Sequence, residues 1–138
     1  MRFVLDNSIS MRWLFHDGTE TDLRYAELVL ASLVKNTIFV PEIWWLEVIN
    51  VIARAEAQEQ LAETKSQKFL SMMCQIPIET DSLSQARAWE NILPLAREYK
   101  LTSYDAAYLE LAIRQNLALA TLDNTLAKAA KLAGITLF

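Results

Sequence analysis

The stretch LTSYDAAYLELAIRQNLALATLDNTLAKAAKLAGITLF, residues 101–138, decides the fold. It reads as helix, strand, helix, strand. The Ser103 hydroxyl can accept an otherwise unpaired first-turn N–H, so a helix is expected from Tyr104 to about Gln115. Ala118–Leu122 is an apolar run of strand length, and Asp123 opens a second helix. Gly134 ends that helix where a left-handed residue is wanted. Ile135–Phe138 is then a last short strand. Asp105 thereby stands in the first turn of one helix and Asp123 at the C-terminal end of a strand. In open parallel sheets, ligands bind at those strand ends.

Neither aspartate has a helical ion-pair partner. Three and four residues after Asp105 come Tyr108 and Leu109, and after Asp123 come Leu126 and Ala127. Taken alone, each acid is explained by the helix dipole, which favours negative charge in a first turn. A functional role requires other acids to converge on the same place.

Working back along the chain, Arg2–Leu5 reads as a buried strand ended by Asp6, with Asn7 and Ser8 continuing into a turn. Turn chemistry accounts for these three residues as readily as a set of oxygen ligands does. Ser8 can cap a short helix through Phe15. Thr19 or Thr21 starts a helix to about Val34, with Leu23, Ala26, Leu30 and Val34 at helical spacing. Thr37–Val40 is a short strand closed by Pro41, followed by helices from Glu42 to about Gln60 and from Thr64 to Met73. Gln75–Glu79 reads as a strand that Pro77 marks as an edge or an end. Asp81 or Ser82 caps a helix to about Tyr99, which Pro94 should kink or break near Asn91–Leu93. Five short strands alternating with helices predict a parallel, doubly wound α/β domain with helices on both faces, residues 1–138 forming one domain.

Glu47 stands out within IWWLEVINVIA, because a lone carboxylate in an apolar run costs several kcal/mol unless something neutralises it. The helix supplies no cation one turn on, where Asn50 and Val51 follow. Glu47 therefore emerges at a narrow polar stripe with Asn50 or meets a cation from elsewhere, a metal being one such cation. Trp44 and Trp45 lie about 100° apart on this helix, so one is expected in the core and the other at an oligomer interface.

Composition narrows the chemistry. With 53% hydrophobic residues over 138 positions, the chain can bury a sizeable core. Two glycines exclude a glycine-rich phosphate loop, and one histidine, His16, read as a loop residue, excludes a multi-histidine zinc site. The single cysteine, Cys74, is read as a small buried hydrophobe and fits a reducing, cytoplasmic setting. The opening MRFVLD is too short an apolar run for a secretory core, and no run approaches the ~20 residues of a membrane span. A net charge of −4 argues against a broad nucleic-acid-coating surface while allowing a basic rim around an acidic site.

A parallel sheet can bring Asp6, Glu47, Asp105 and Asp123 to one edge. Converging carboxylates repel one another, and protons or a divalent cation must relieve that repulsion. Magnesium and manganese suit an all-oxygen site, and such an ion promotes hydrolysis of a phosphodiester.

The pieces FVLDNS at 3–8, PEIWWLEVINVI at 41–52, LTSYDAAYLELA at 101–112 and ATLDNTLAKAA at 120–130 resemble PIN-domain ribonucleases. The resemblance is specifically to the VapC-type toxins of bacterial toxin–antitoxin pairs. It covers essentially the whole chain. It implies a Rossmann-like sheet and a magnesium- or manganese-dependent endoribonuclease. Asp6, Glu47, Asp105 and Asp123 match the family's acidic positions, Ser8 and Thr121 match small polar positions that support them, and Asn124 follows the last acid. It also implies a homodimer held inactive by a cognate antitoxin. Two other readings stand beside it. One is a PIN-like protein-interaction module without turnover. The other is a phosphatase using Asp6, which Asp6-Asn7-Ser8 disfavours because it lacks a second acid.

Overall fold

The computed structural model describes all 138 residues. In strand β1 (Arg2–Leu5), Phe3, Val4 and Leu5 are successively buried. Since neighbouring strand residues point to opposite faces, both faces of β1 are covered, as in the middle of a parallel α/β sheet. The chain continues through α1 (Asn7–Phe15), α2 (Glu20–Ser32), β2 (Thr37–Pro41), α3 (Ile43–Ala57), α4 (Glu63–Met73) and β3 (Ile78–Asp81). It then forms α5 (Ser84–Arg87), one wide π turn (Ala88–Ile92), α6 (Leu93–Tyr99), α7 (Ser103–Gln115), β4 (Leu119–Ala120) and α8 (Asn124–Leu132). The strands pair in the order β3-β2-β1-β4, every pair parallel. Helix α7 lies against β1 and β2, and α1 packs on α2, α3 and α4.

The parallel α/β architecture expected from the alternation is present, with local differences. The sheet has four strands, and the expected fifth contributes a single parallel bridge, Leu119 to Leu137. With β4 only two residues long, there is little edge for it to pair with. The tail is held instead by the Phe138 ring stacked on Phe3, centroids 4.1 Å apart, and by Tyr25 Oη donating to the Phe138 carbonyl at 2.8 Å.

Strand β3 begins after Pro77 rather than spanning it, because proline cannot donate to the ladder. Pro94 sits in the first turn of α6, where its missing N–H costs nothing, and the helical irregularity it predicts is the π turn just before it. Thr102, not Ser103, caps α7 by accepting the Asp105 N–H at 3.1 Å. Helix α1 starts without a side-chain cap, so Ser8 is free for another role. Cys74 is exposed rather than buried. His16 closes α1 in a left-handed conformation, φ 54°. Trp44 is 1% exposed and Trp45 43%, so one tryptophan of the pair is core and the other is not.

Candidate active site

From β1 the chain winds outward to β2 and β3, then returns on the other side of β1 as β4. Where connections leave neighbouring strands in opposite directions, a crevice opens at their C-terminal ends, and ligands bind there. Leu5 is in register with Ala120, so Asp6 after β1 and Thr121 after β4 stand side by side at its mouth.

Asp6 is 5% exposed. Its Oδ2 accepts hydrogen bonds from Ser8 Oγ at 2.6 Å and from Thr121 Oγ1 at 2.7 Å. Each hydroxyl is itself held by the backbone. The Leu122 N–H donates to Ser8 Oγ at 2.9 Å, and the Asp123 N–H donates to Thr121 Oγ1 at 3.0 Å. With these lone pairs engaged, both hydroxyl protons point at one carboxylate oxygen. Burial raises the Asp6 pKa; the two hydroxyls pull it down, and the charge of Asp123 pushes it up again. Ser8 and Thr121 thus both hold the same oxygen of Asp6.

Glu47, half-buried on α3, opens with Asn50 onto one shallow pocket, and no lysine or arginine pairs with it. Its Oε1 accepts the Tyr108 hydroxyl at 2.6 Å, and Tyr108 is wholly buried on α7. Burial raises Glu47 to about 6, with Tyr108 opposing the rise and Asp6 and Asp105 adding to it. Asp105 has no side-chain hydrogen bond. Burial, then the charges of Asp6 and Asp123, push it up to about 6 as well. Asp123 Oδ1 caps α8 by accepting the Leu126 N–H at 2.8 Å.

The four acids therefore lie close enough to act on one another, and every charge that perturbs Asp6, Glu47 or Asp105 is another carboxylate. Like charges repel one another, and no group of three or more such side chains is arranged to hold a metal ion. Asn124 makes no hydrogen bond to the acids and lines a separate groove with Lys100 and Lys128. Sequence reasoning missed Tyr108. It sits one turn beyond Asp105 and so shares its helix face, but a search for a cation passes over a tyrosine.

A model of the PIN domain matches residues 3–132. The chain belongs to the PIN-domain family. Among solved structures, this PIN domain is similar to VapBC2 from Rickettsia felis bound to a DNA fragment from its promoter. That likeness has a TM-score of 0.68 and 17% identity over 100% of this chain and 98% of that one. It is similar to PAE2754 from Pyrobaculum aerophilum, with a TM-score of 0.64 and 20% identity over 94% and 87% of the two chains. A toxin–antitoxin complex from Klebsiella pneumoniae gives a TM-score of 0.56 and 26% identity over 88% and 86%. No curated protein matches the chain. In this PIN domain Asp6, Glu47, Asp105 and Asp123 come from four separate segments, and the fold brings them within electrostatic range of one another.

Proposed function

We propose that this PIN domain is a metal-dependent endoribonuclease that hydrolyses RNA phosphodiester bonds, the toxin of a toxin–antitoxin pair. One observation supports the reading: Asp6, Glu47, Asp105 and Asp123, from four separate segments, lie within electrostatic range of one another, and no lysine or arginine is paired with any of them. PIN domains are generally nucleases, and two of the similar structures are a VapBC assembly and a toxin–antitoxin complex.

Asp6, Glu47, Asp105 and Asp123 offer only oxygen donors, which fits magnesium or manganese rather than a softer ion. Such an ion would lower the pKa of water and offset charge on a phosphoryl oxygen. Asp6 is the fixed point of the set, since Ser8 and Thr121 lock one of its oxygens and leave the other without a hydroxyl partner. Tyr108 sets the position of Glu47. Asp105, with no hydrogen bond of its own, is the acid free to move toward a ligand. Asp123 divides its carboxylate between α8 and the cleft.

The test is incubation of the purified protein with total bacterial RNA and manganese, beside an EDTA control and Asp105→Asn. Cleavage by wild type with metal alone supports the reading; cleavage that persists in the variant overturns it.

Tyr108→Phe tests how the site is held. Removing the hydroxyl takes away the interaction that lowers the Glu47 pKa, so ionisation of Glu47 moves above about 6. The acidic limb of the pH–rate profile should move up by roughly half a pH unit to one unit. Stability should fall by about 1.5–3 kcal/mol, the worth of a hydrogen bond to a charged group.

The proposal includes a homodimer, a cognate antitoxin that covers the cleft, and a cytoplasmic setting. No helix is long and apolar enough to cross a membrane. Trp45, Leu46 and Ile49 form an exposed apolar strip on α3. Leu46→Glu with Ile49→Glu should convert a dimer to monomer in sedimentation at micromolar concentration. A wild-type monomer under those conditions would remove the dimer from the proposal.

A further inference from the structure

A strand of RNA reaching four carboxylates on a chain of net charge −4 needs cations at the rim of the site. The lysines and arginines are scattered along the sequence, but the fold sorts them into grooves. One groove of about 390 Å³ between α1 and α3 contains Arg12, bound to Asp17 at 2.7 Å, and leaves Arg54 as its single unpaired cation. Another of about 350 Å³ contains Arg87 and Arg114, and Arg114 is committed to Asp81 and Glu110. A third, of about 500 Å³, is lined by Glu98, Tyr99, Lys100, Asn124, Thr125 and Lys128 among others. Both of its lysines are exposed and neither is in an ion pair.

None of the four acids lines this third groove, but it lies next to one of them. One wall begins with Asn124, the residue after Asp123, and Lys128 follows one helical turn later on the same face. The other wall ends in Lys100, two residues before the Thr102 hydroxyl that takes the Asp105 N–H. Lys100 is the left-handed cap of α6, φ 54°, and its N–H is bonded to the Ala96 carbonyl. Tyr99, half-buried against the core, forms the floor between the two walls, and the exposed Glu98 carboxylate is the one opposing charge in the groove.

We infer that the Lys100–Lys128 groove holds the backbone of single-stranded RNA, one phosphate on each ammonium group, and leads the strand into the acid cluster. This rests on the nuclease reading, which left the RNA-contacting cations unassigned.

The experiment measures binding of a short, labelled, mixed-sequence single-stranded RNA to the Asp105→Asn protein across a range of salt concentrations. Each lost phosphate contact should flatten the slope of log affinity against log salt by about 0.7. Lys100→Gly with Lys128→Gln should therefore flatten it by about 1.4. Glycine at 100 keeps the left-handed turn, so the melting temperature should be unchanged. Arginine at both positions should restore the slope. In the cleaving protein the same pair should raise KM roughly tenfold at constant kcat. No binding by the Asp105→Asn protein, or an unchanged slope and KM in the groove variants, overturns the groove. If wild type fails to cleave total RNA, the nuclease reading falls, and the groove with it.

Discussion

Asp105→Asn is expected to slow RNA cleavage roughly a thousandfold, the order lost when one charge-stabilising group is removed from a preorganised site. The same variant should fold at least as stably as wild type in EDTA. Asp105 is held up to about 6 by burial and by Asp6 and Asp123, so its ionised form is disfavoured by the native state at pH 8. After solvent screening of a partly exposed carboxylate, neutralisation returns about 1 kcal/mol. Asparagine forfeits the favourable effect of an acid in the first turn of α7, a few tenths of a kcal/mol to about 1. The balance is near zero or positive. A melting temperature several degrees below wild type in EDTA would show that the acids do not strain one another.

The pH dependence has a definite sign. Asp105 and Glu47 both rise to about 6, so the folded protein binds more protons than the unfolded chain between roughly pH 4 and 6. The stability linked to these protons is complete below about pH 4 and is lost as pH climbs through 6. The advantage of Asp105→Asn over wild type should therefore be absent near pH 4 and fully developed above 6. Stabilisation by added manganese should grow over the same window, because ligands must be deprotonated to bind. Melts of both proteins from pH 4 to 8, with manganese and with EDTA, check both statements.

Much of this could be read from local chemistry. Gly134 takes φ 81° where a left-handed residue was needed, Asp123 caps α8, and the helical irregularity falls just before Pro94. These features depend on residues within one turn of each other. What sequence reasoning missed depends on distance along the chain. The Tyr108 hydroxyl meets a carboxylate 61 residues away, and a tyrosine in an apolar helix otherwise reads as core. Thr102 and Ser103 are adjacent hydroxyls, and only the helix's actual start decides which one caps it. The four acids could be nominated one by one, and a parallel sheet could be expected to bring them to one edge. Their actual surroundings depend on long-range packing: Asp6 meets Thr121 across the β1/β4 pair, and Glu47 meets Tyr108 of α7.

Asp81 shows the same limit with the largest consequence for stability. At the end of β3 it looked like a helix cap, and it does accept the Leu83 N–H at 3.4 Å. Its main partner is Arg114 on α7, 33 residues away, which donates to both of its oxygens at 3.1 and 2.7 Å. Arg114 also donates to Glu110 at 2.8 Å, one turn earlier on α7. The three side chains are only 13%, 5% and 7% exposed for Arg114, Asp81 and Glu110. Hydrogen bonds to Glu110 and then Asp81 raise the Arg114 pKa, so the cation is charged at any working pH. Arg114→Met would leave two buried carboxylates without a counter-charge, a change that costs about 3–5 kcal/mol. For a chain of this length, that lowers the melting temperature by about 10–17 °C. Arg114 does not act on Asp6, Glu47 or Asp105, so below its melt the variant should cleave RNA at the wild-type rate. Replacing all three residues with apolar ones of similar volume should recover most of the loss, because an intact buried ion network is itself worth little. A melt of Arg114→Met within 3 °C of wild type would mean that the network is solvated in solution and does not pin β3 to α7.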